Sequence, residues 1–233
     1  MTRVELPKAH EGVRGGPAST MFRAMEDPRE LLEAGRFDEL AHDDHPLWRG
    51  LALLELRRYL EASRIFEEAP DAKSSGTMME LAGAARWLAG DREAAIERWI
   101  AALDAGYDSP SGPVKPPALL VYAGKRMGDE RYVLRGTRLL GKLWKPKVGR
   151  VWPGPVAGFL LDKVESERFL EDGYEDAELE ARRLAAAHFW AALKDEEHAR
   201  EHYQRAAQAE GACALEVEHH LARGELDQKQ AGG

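Results

Sequence analysis

Two stretches of the chain, 52-ALLELRRYLEASRIFEEA-69 and 87-WLAGDREAAIERWIAALDAG-106, belong to two copies of one spacing of small and aromatic residues. A small residue is followed by alanine twelve positions later, by a large aromatic after four more, and by alanine after another three. The spacing occurs in three sets: Gly50, Ala62, Phe66 and Ala69; Gly83, Ala95, Trp99 and Ala102; and Ala187, Ala199, Tyr203 and Ala206. Recurrence of one spacing indicates a repeated structural unit.

The physical reason for such a spacing is close packing between helices. Small side chains let the two helices of a unit approach each other, and the aromatic fills the space between neighbouring units. The pattern resembles the tetratricopeptide repeat, a helix–turn–helix unit of about 34 residues. A weaker copy is 125-KRMGDERYVLRGTRLL-140, where Val133 and Thr137 replace the alanine and the aromatic. An alanine-rich helical bundle is the alternative. We predict an all-α, tetratricopeptide-like α-solenoid of antiparallel helix hairpins.

Amino-acid composition and the positions of glycine and proline determine the predicted domain organisation. Alanine, leucine, glutamate and arginine dominate while valine, isoleucine and threonine are scarce, which favours helix along most of the chain. Residues 1–20 contain Gly12, Gly15, Gly16 and Pro17 without hydrophobic periodicity. We therefore predict a mobile tail over 1–20, a single helical repeat domain over 21–225, and a second mobile tail over 226–233.

Cysteine usage and hydropathy bear on the compartment. The single cysteine, Cys213, excludes an intramolecular disulfide framework and a cysteine-based zinc site. The N-terminal sequence shows no apolar core of signal-peptide length, and no later run approaches the roughly 18 apolar residues that span a membrane. A cytoplasmic protein without a membrane partner is the expectation.

The C-terminal third carries a narrower resemblance. The run 151-VWPGPVAGFLLDKVESERFLEDG-173 precedes one strong repeat and then 214-ALEVEHHLARGEL-226. This order resembles the C-terminal half of bacterial repeat lipoproteins that act as adaptors for periplasmic proteases and peptidoglycan hydrolases. The resemblance implies adaptor-like protein binding. It does not imply a periplasmic location, because the chain lacks a signal peptide and a lipidation cysteine near its N-terminus.

One motif suggests metal chemistry. His198, Glu201 and His202 match H-x-x-E-H, a spacing used by one class of zinc peptidases. Such a site needs a third ligand well downstream, and only 31 residues follow His202. On the same helix, Ala199 and Tyr203 are predicted packing positions. Both histidines are therefore expected at the border between the buried and the solvent-exposed face. With no glycine-rich phosphate loop or nucleophile elbow present, we expect no catalytic residue, metal or cofactor.

The most specific surface feature is a basic helix. Residues 124–150 contain nine basic and two acidic side chains, a net charge of +7, which leaves −15 for the rest of a chain whose total is −8. Arg131, Arg135, Arg138 and Lys142 share one helical face, and Lys145 continues it. Three neutralising partners are possible: an acidic helix of the same chain, another protein, or nucleic acid. Overall acidity makes nucleic acid unlikely.

These features predict a non-enzymatic protein–protein interaction module, an adaptor or scaffold. In a curved helical stack, Glu80, Trp87 and His188 lie on or near the concave surface. The predicted partner-binding residues are Arg131, Arg135, Arg138, Lys142, Lys145, Trp87, Glu80 and His188. We expect the partner to be a protein with an acidic patch or an extended segment. The alternative is an immunity protein that binds and occludes a cognate toxin, an analogy at the level of the fold.

Overall fold

A computed structural model describes residues 27–109, 111–145, 147–171, 177–208 and 211–231. Within these ranges all regular structure is helical, and the only β-type pairing is an isolated bridge between Ser75 and Gly106. The α-helices are α1 (Pro28–Glu33), α2 (Phe37–Leu40), α3 (Pro46–Glu55), α4 (Tyr59–Glu68), α5 (Gly76–Leu88), α6 (Arg92–Ala101), α7 (Lys115–Met127), α8 (Glu130–Leu143), α9 (Gly154–Leu160), α10 (Ser166–Glu171), α11 (Ala177–Ala191), α12 (Ala199–Gln208) and α13 (Val217–Ala231). The all-α prediction is confirmed.

Short 3₁₀ helices, Ala102–Asp104, Gly112–Val114, Val148–Arg150 and Gly211–Leu215, connect some of these elements. None of the described helices combines the length and the apolar character that crossing a membrane requires.

Local capping explains where the central helices begin. The Ser75 hydroxyl accepts a hydrogen bond from the Met78 amide at 3.3 Å at the start of α5. The Asp91 carboxylate accepts one from the Ala94 amide at 3.3 Å at the start of α6. Between these helices Gly90 has a φ of +87°, which a residue with a Cβ adopts only with strain. The turn at Gly90-Asp91 therefore follows from the sequence.

The small-plus-aromatic spacing packs successive helices against each other. A Cβ on Gly50 of α3 would lie 2.3 Å from the Phe66 ring of α4, and one on Gly83 of α5 would lie 2.4 Å from Nε1 of Trp99 of α6. Both aromatic side chains are fully buried. Tyr203 of α12 is equally buried. The glycines are needed because a larger residue at either position would displace the buried ring.

The α7–α8 pair reaches the same close approach in the opposite way. Here Val121, on the first helix, stands where the other copies have a small residue. The glycine is on the second helix: a Cβ on Gly136 would lie 2.5 Å from the carbonyl oxygen of Pro117 and 2.7 Å from Val121. The weak copy of the repeat therefore exchanges the roles of its two helices.

Helix α13 connects the end of the chain to its beginning. It packs against α12 and α11 and also against α5. Arg223 forms an ion pair with Glu55 of α3, and Arg57 pairs with Asp227 at 2.8 Å. A Cβ on Gly224 would lie 2.2 Å from Leu88 of α5. The stack of helices therefore closes on itself through its last helix.

Two domain boundaries compare differently with the structure. The predicted N-terminal tail, 1–20, lies outside the described residues. The predicted C-terminal tail begins at 226, within α13, and Leu226 packs against the larger hydrophobic core. The helix therefore extends past the predicted boundary at 225 and ends at Ala231.

Candidate functional site

Helix α8 presents the basic residues because its opposite face is committed to packing. Asp129 caps its first turn by accepting a hydrogen bond from the Arg131 amide at 3.0 Å. Gly136 and Leu140 are buried, with Gly136 against α7. With glycine and leucine on the inner face, the long cationic side chains are left on the outer one.

The cationic side chains are exposed and largely unpaired. Arg131, Arg135, Arg138 and Lys142 are all exposed, as is Lys145 beyond the end of the helix. Arg131 contacts the Asp129 carboxylate at 2.6 Å, with 86% of its own side chain exposed. Within the described part of the chain, Arg135, Arg138 and Lys142 form no ion pair. Among the described helices, none therefore neutralises Arg135, Arg138 or Lys142 through an ion pair.

A groove of about 760 Å³ runs between α8 and the segment that ends α6. Its apolar lining comprises Ile100, Leu103, Pro113, Leu134, Leu139 and Leu143. Leu134 is 63% exposed. Arg131, Arg135, Arg138 and Lys142 border the same groove. We call this surface the cationic groove: its lining combines these six apolar side chains with four positive charges.

The chemistry of the cationic groove suits binding. The described residues that border it offer four cations and a single carboxylate, Asp104, without a histidine, cysteine or hydroxyl group. The guanidinium group of arginine binds a carboxylate through two parallel hydrogen bonds. Covering exposed leucines with a partner removes apolar surface from water, which favours binding. The groove is therefore complementary to a segment that combines acidic and apolar side chains.

The structure corrects the positions of Trp87 and Glu80, which the sequence places on or near an accessible concave surface. Trp87 is only 3% exposed, with its ring centroid 5.6 Å from that of Trp99 and 5.2 Å from that of Tyr122. Glu80 is 4% exposed and accepts a hydrogen bond from the Tyr107 hydroxyl at 2.8 Å. Both side chains are buried: Trp87 lies against α6 and α7, and Glu80 lies beside Tyr107 and the carboxylates at the start of α13.

His188 is half-buried and faces α12. Its Nδ1 lies 2.9 Å from Nδ1 of His202, the last residue of the H-x-x-E-H motif. His198, the first, instead contacts the Asp195 carboxylate at 3.1 Å, which raises the pKa of His198. Burial lowers the pKa of His188 to about 4. Nε2 of His202 lies 3.7 Å from the same Asp195 carboxylate, so the two motif histidines share this neighbour. His188 lies away from the cationic groove.

Sequence reasoning missed a buried ionic network around Lys115. Its ammonium group lies 2.6 Å from Glu216 and 3.5 Å from Glu218, and Arg182 donates to Glu216 at 2.9 Å. Burial opposes the charge of Lys115, but the two carboxylates raise its pKa above the ordinary value. Burial also raises the pKa of Glu80, at the edge of this network, to about 8.

The network lines a cavity of about 320 Å³ and joins α5, α7 and α11 to the start of α13. The sequence signal that could have revealed this network is the presence of charged residues at positions where helical periodicity predicts apolar ones. The same signal applies to Glu55, His219 and His220, the one group of three among the described residues whose atoms are close enough to bind a common metal ion.

Comparison of the chain with models of protein families, with curated proteins and with solved structures gives no match. The resemblance to tetratricopeptide repeats therefore stays a prediction, and the function has to be inferred from the site itself.

Proposed function

We propose that this protein is a non-enzymatic protein–protein interaction module, an adaptor or scaffold, whose cationic groove binds an acidic segment with an apolar face. The observation that carries the proposal is the coincidence of exposed, unpaired cations with an apolar groove. Arg135, Arg138 and Lys142 border the groove and have no ion-pair partner in the described ranges.

Electrostatics favours this interpretation. Arg135 stands four residues after Arg131, and Lys142 four after Arg138, so that like charges are neighbours on the helix surface. Like charges at this spacing repel each other and weaken the helix. Carboxylates of a partner would remove the repulsion and accelerate association, because the surrounding field attracts an acidic segment.

The apolar residues that line the groove supply the second part of the proposed interaction, after the charges. Leu134 and the other leucines that line the groove give an extended or helical segment a surface to bury. Each square ångström of apolar surface removed from water contributes about 25 cal/mol, so that a few buried leucines supply affinity while the arginines supply orientation. An acidic segment without apolar residues is expected to bind more weakly.

The test is an affinity capture from the native host with three baits: wild type, Arg135→Glu with Arg138→Glu, and Arg49→Glu with Arg64→Glu. The last variant makes the same charge change at two exposed arginines on α3 and α4. A partner of the groove is recovered by wild type and by the α3–α4 variant, and is lost with the groove variant. Equal recovery by all three baits contradicts the proposal. A partner released by nuclease treatment would indicate nucleic acid instead.

A further inference from the structure

The closure of the fold brings three potential metal ligands together. Glu55 ends α3, whereas His219 and His220 lie in the first turn of α13. Oε1 of Glu55 is 3.4 Å from Nε2 of His219 and 3.4 Å from Nδ1 of His220. One ligand atom from each of the three residues lies within 4.8 Å of the other two.

Hydrogen bonds to the backbone determine which ring nitrogens carry protons. Nδ1 of His219 lies 3.1 Å from the carbonyl oxygen of Ala206, and Nε2 of His220 lies 2.8 Å from that of Ala214. A carbonyl oxygen only accepts, so each of these nitrogens must donate a proton. In the neutral rings, the nitrogens with free lone pairs are Nε2 of His219 and Nδ1 of His220. These are the two nitrogens that face Glu55.

The Glu55 carboxylate, which faces both histidine rings, is buried and lacks a hydrogen bond to one of its oxygens. The Glu55 side chain is only 7% exposed, and its Oε1 has no hydrogen-bond partner among the described residues. The other oxygen, Oε2, pairs with Arg223. Three lone-pair donors therefore lie close together, with the guanidinium group of Arg223 on the other oxygen of Glu55.

We propose that Glu55, His219 and His220 form a binding site for a divalent transition-metal ion, with zinc the best match. Zinc binds imidazole nitrogen and carboxylate oxygen at about 2.0–2.2 Å in tetrahedral geometry, which separates neighbouring ligand atoms by roughly 3.4 Å. The two distances from Glu55 to the histidines equal this separation. Magnesium and calcium are disfavoured because they prefer an all-oxygen set of ligands.

The surroundings fit an ion with one open coordination position. The other ring N–H of each histidine donates a hydrogen bond to a backbone carbonyl. This arrangement orients histidine ligands in metal sites. Glu55 and His219 also border a cavity of about 560 Å³, which gives an ion access and leaves space for water or a small anion. Since α3 and α13 both supply ligands, the ion would fasten the closure of the helix stack.

The test is zinc binding by the metal-free full chain, measured by titration calorimetry and by metal analysis after dialysis. The diagnostic variant is His219→Gln with His220→Gln. The matched control, His198→Gln with His202→Gln, also removes two histidines but leaves the proposed ligands intact. We expect one zinc per chain for wild type and control. Even outer-shell changes weaken metal sites by about 10–100-fold, so we expect more than a tenfold loss in the diagnostic variant.

Two results would overturn the proposal: zinc bound equally by the diagnostic variant and by wild type, or no stoichiometric zinc in any of them. Should the diagnostic variant not fold, the ligands are counted in wild type and control. X-ray absorption of bound zinc has to show two imidazoles in both, and cobalt has to give the visible bands of a tetrahedral site. Loss of these signals in the control would place the metal at His198 and His202. Partner capture by the cationic groove is a separate measurement.

Discussion

Substituting Gly83 and Trp99 separately and together tests whether the small-plus-aromatic spacing is a packing device. Trp99 is fully buried against α5, and its Nε1 donates to the carbonyl oxygen of Glu80 at 3.2 Å. A Cβ on Gly83 would lie 2.4 Å from that nitrogen. In Gly83→Ala the indole must therefore move, whereas in the Trp99→Ala background the added methyl group enters space that the ring has left.

The expected effect of Gly83→Ala on the free energy of unfolding has opposite signs with and without Trp99. Alanine improves helix propensity over glycine by about 1 kcal/mol, while overpacking a core costs about 1–3 kcal/mol. Gly83→Ala alone should thus lower the free energy of unfolding by up to about 2 kcal/mol. Trp99→Ala alone should lower it by about 3–5 kcal/mol. With Trp99 already removed, Gly83→Ala should raise it by about 1 kcal/mol.

The assay is urea unfolding followed by circular dichroism, because every variant that carries Trp99→Ala lacks a tryptophan and its fluorescence cannot be compared with that of wild type. A matched control is Gly141→Ala in α8, where an added Cβ has no neighbour within 4 Å. This substitution should stabilise the protein by about 1 kcal/mol with or without Trp99. Additive effects of Gly83→Ala and Trp99→Ala would refute the close-packing argument, since independent sites show no coupling.

Three further outcomes follow from charges described above. Arg135→Glu with Arg138→Glu should leave the melting temperature unchanged or slightly raised, because each new glutamate then stands four residues from a cation, Arg131 or Lys142; a marked loss of stability would indicate internal salt bridges. Because burial raises the pKa of Glu80 from 4.5 to about 8, the folded state takes up a proton that the unfolded state lacks between these values, and stability falls as pH rises through this window. Glu80→Gln should remove that component, a few kcal/mol at about 1.4 kcal/mol per pKa unit, in urea titrations from pH 5 to 8. Lys115→Met should cost about 3–5 kcal/mol, because the buried Glu216 and Glu218 lose their shared cation and only Arg182 remains beside Glu216, and adding Glu216→Gln should recover part of the loss.

The hairpins were predictable because their packing leaves a local trace. Gly50 with Phe66 and Gly83 with Trp99 are separated by one fixed interval, set by the length of two helices and a turn. Helical periodicity likewise placed the cations of α8 on one face. Both signals arise within about 20 residues, the range over which one helix meets the next.

The closure of the stack leaves no such trace. Glu55 and Arg223 are 168 residues apart, and no repeated interval relates them. The sequence therefore did not show that α13 returns to α3 and α5, and this is why Glu80 was expected to be accessible. The proposed metal ligands were missed for the same reason: His219 and His220 gain a third ligand only through a contact between opposite ends of the chain.

The return of α13 to the first hairpins also constrains how this architecture can change in length. A linear array of repeats gains or loses a unit easily, because each unit contacts only its neighbours. Here, Gly224 has to reach Leu88 and Arg223 has to reach Glu55. One additional helix in the middle would displace α13 by about 8–10 Å, the distance between packed helix axes, and separate both contacts. Duplication of a hairpin, the common route by which repeat proteins diversify, is thus closed to this chain, and variation is confined to its outer surfaces and connecting segments.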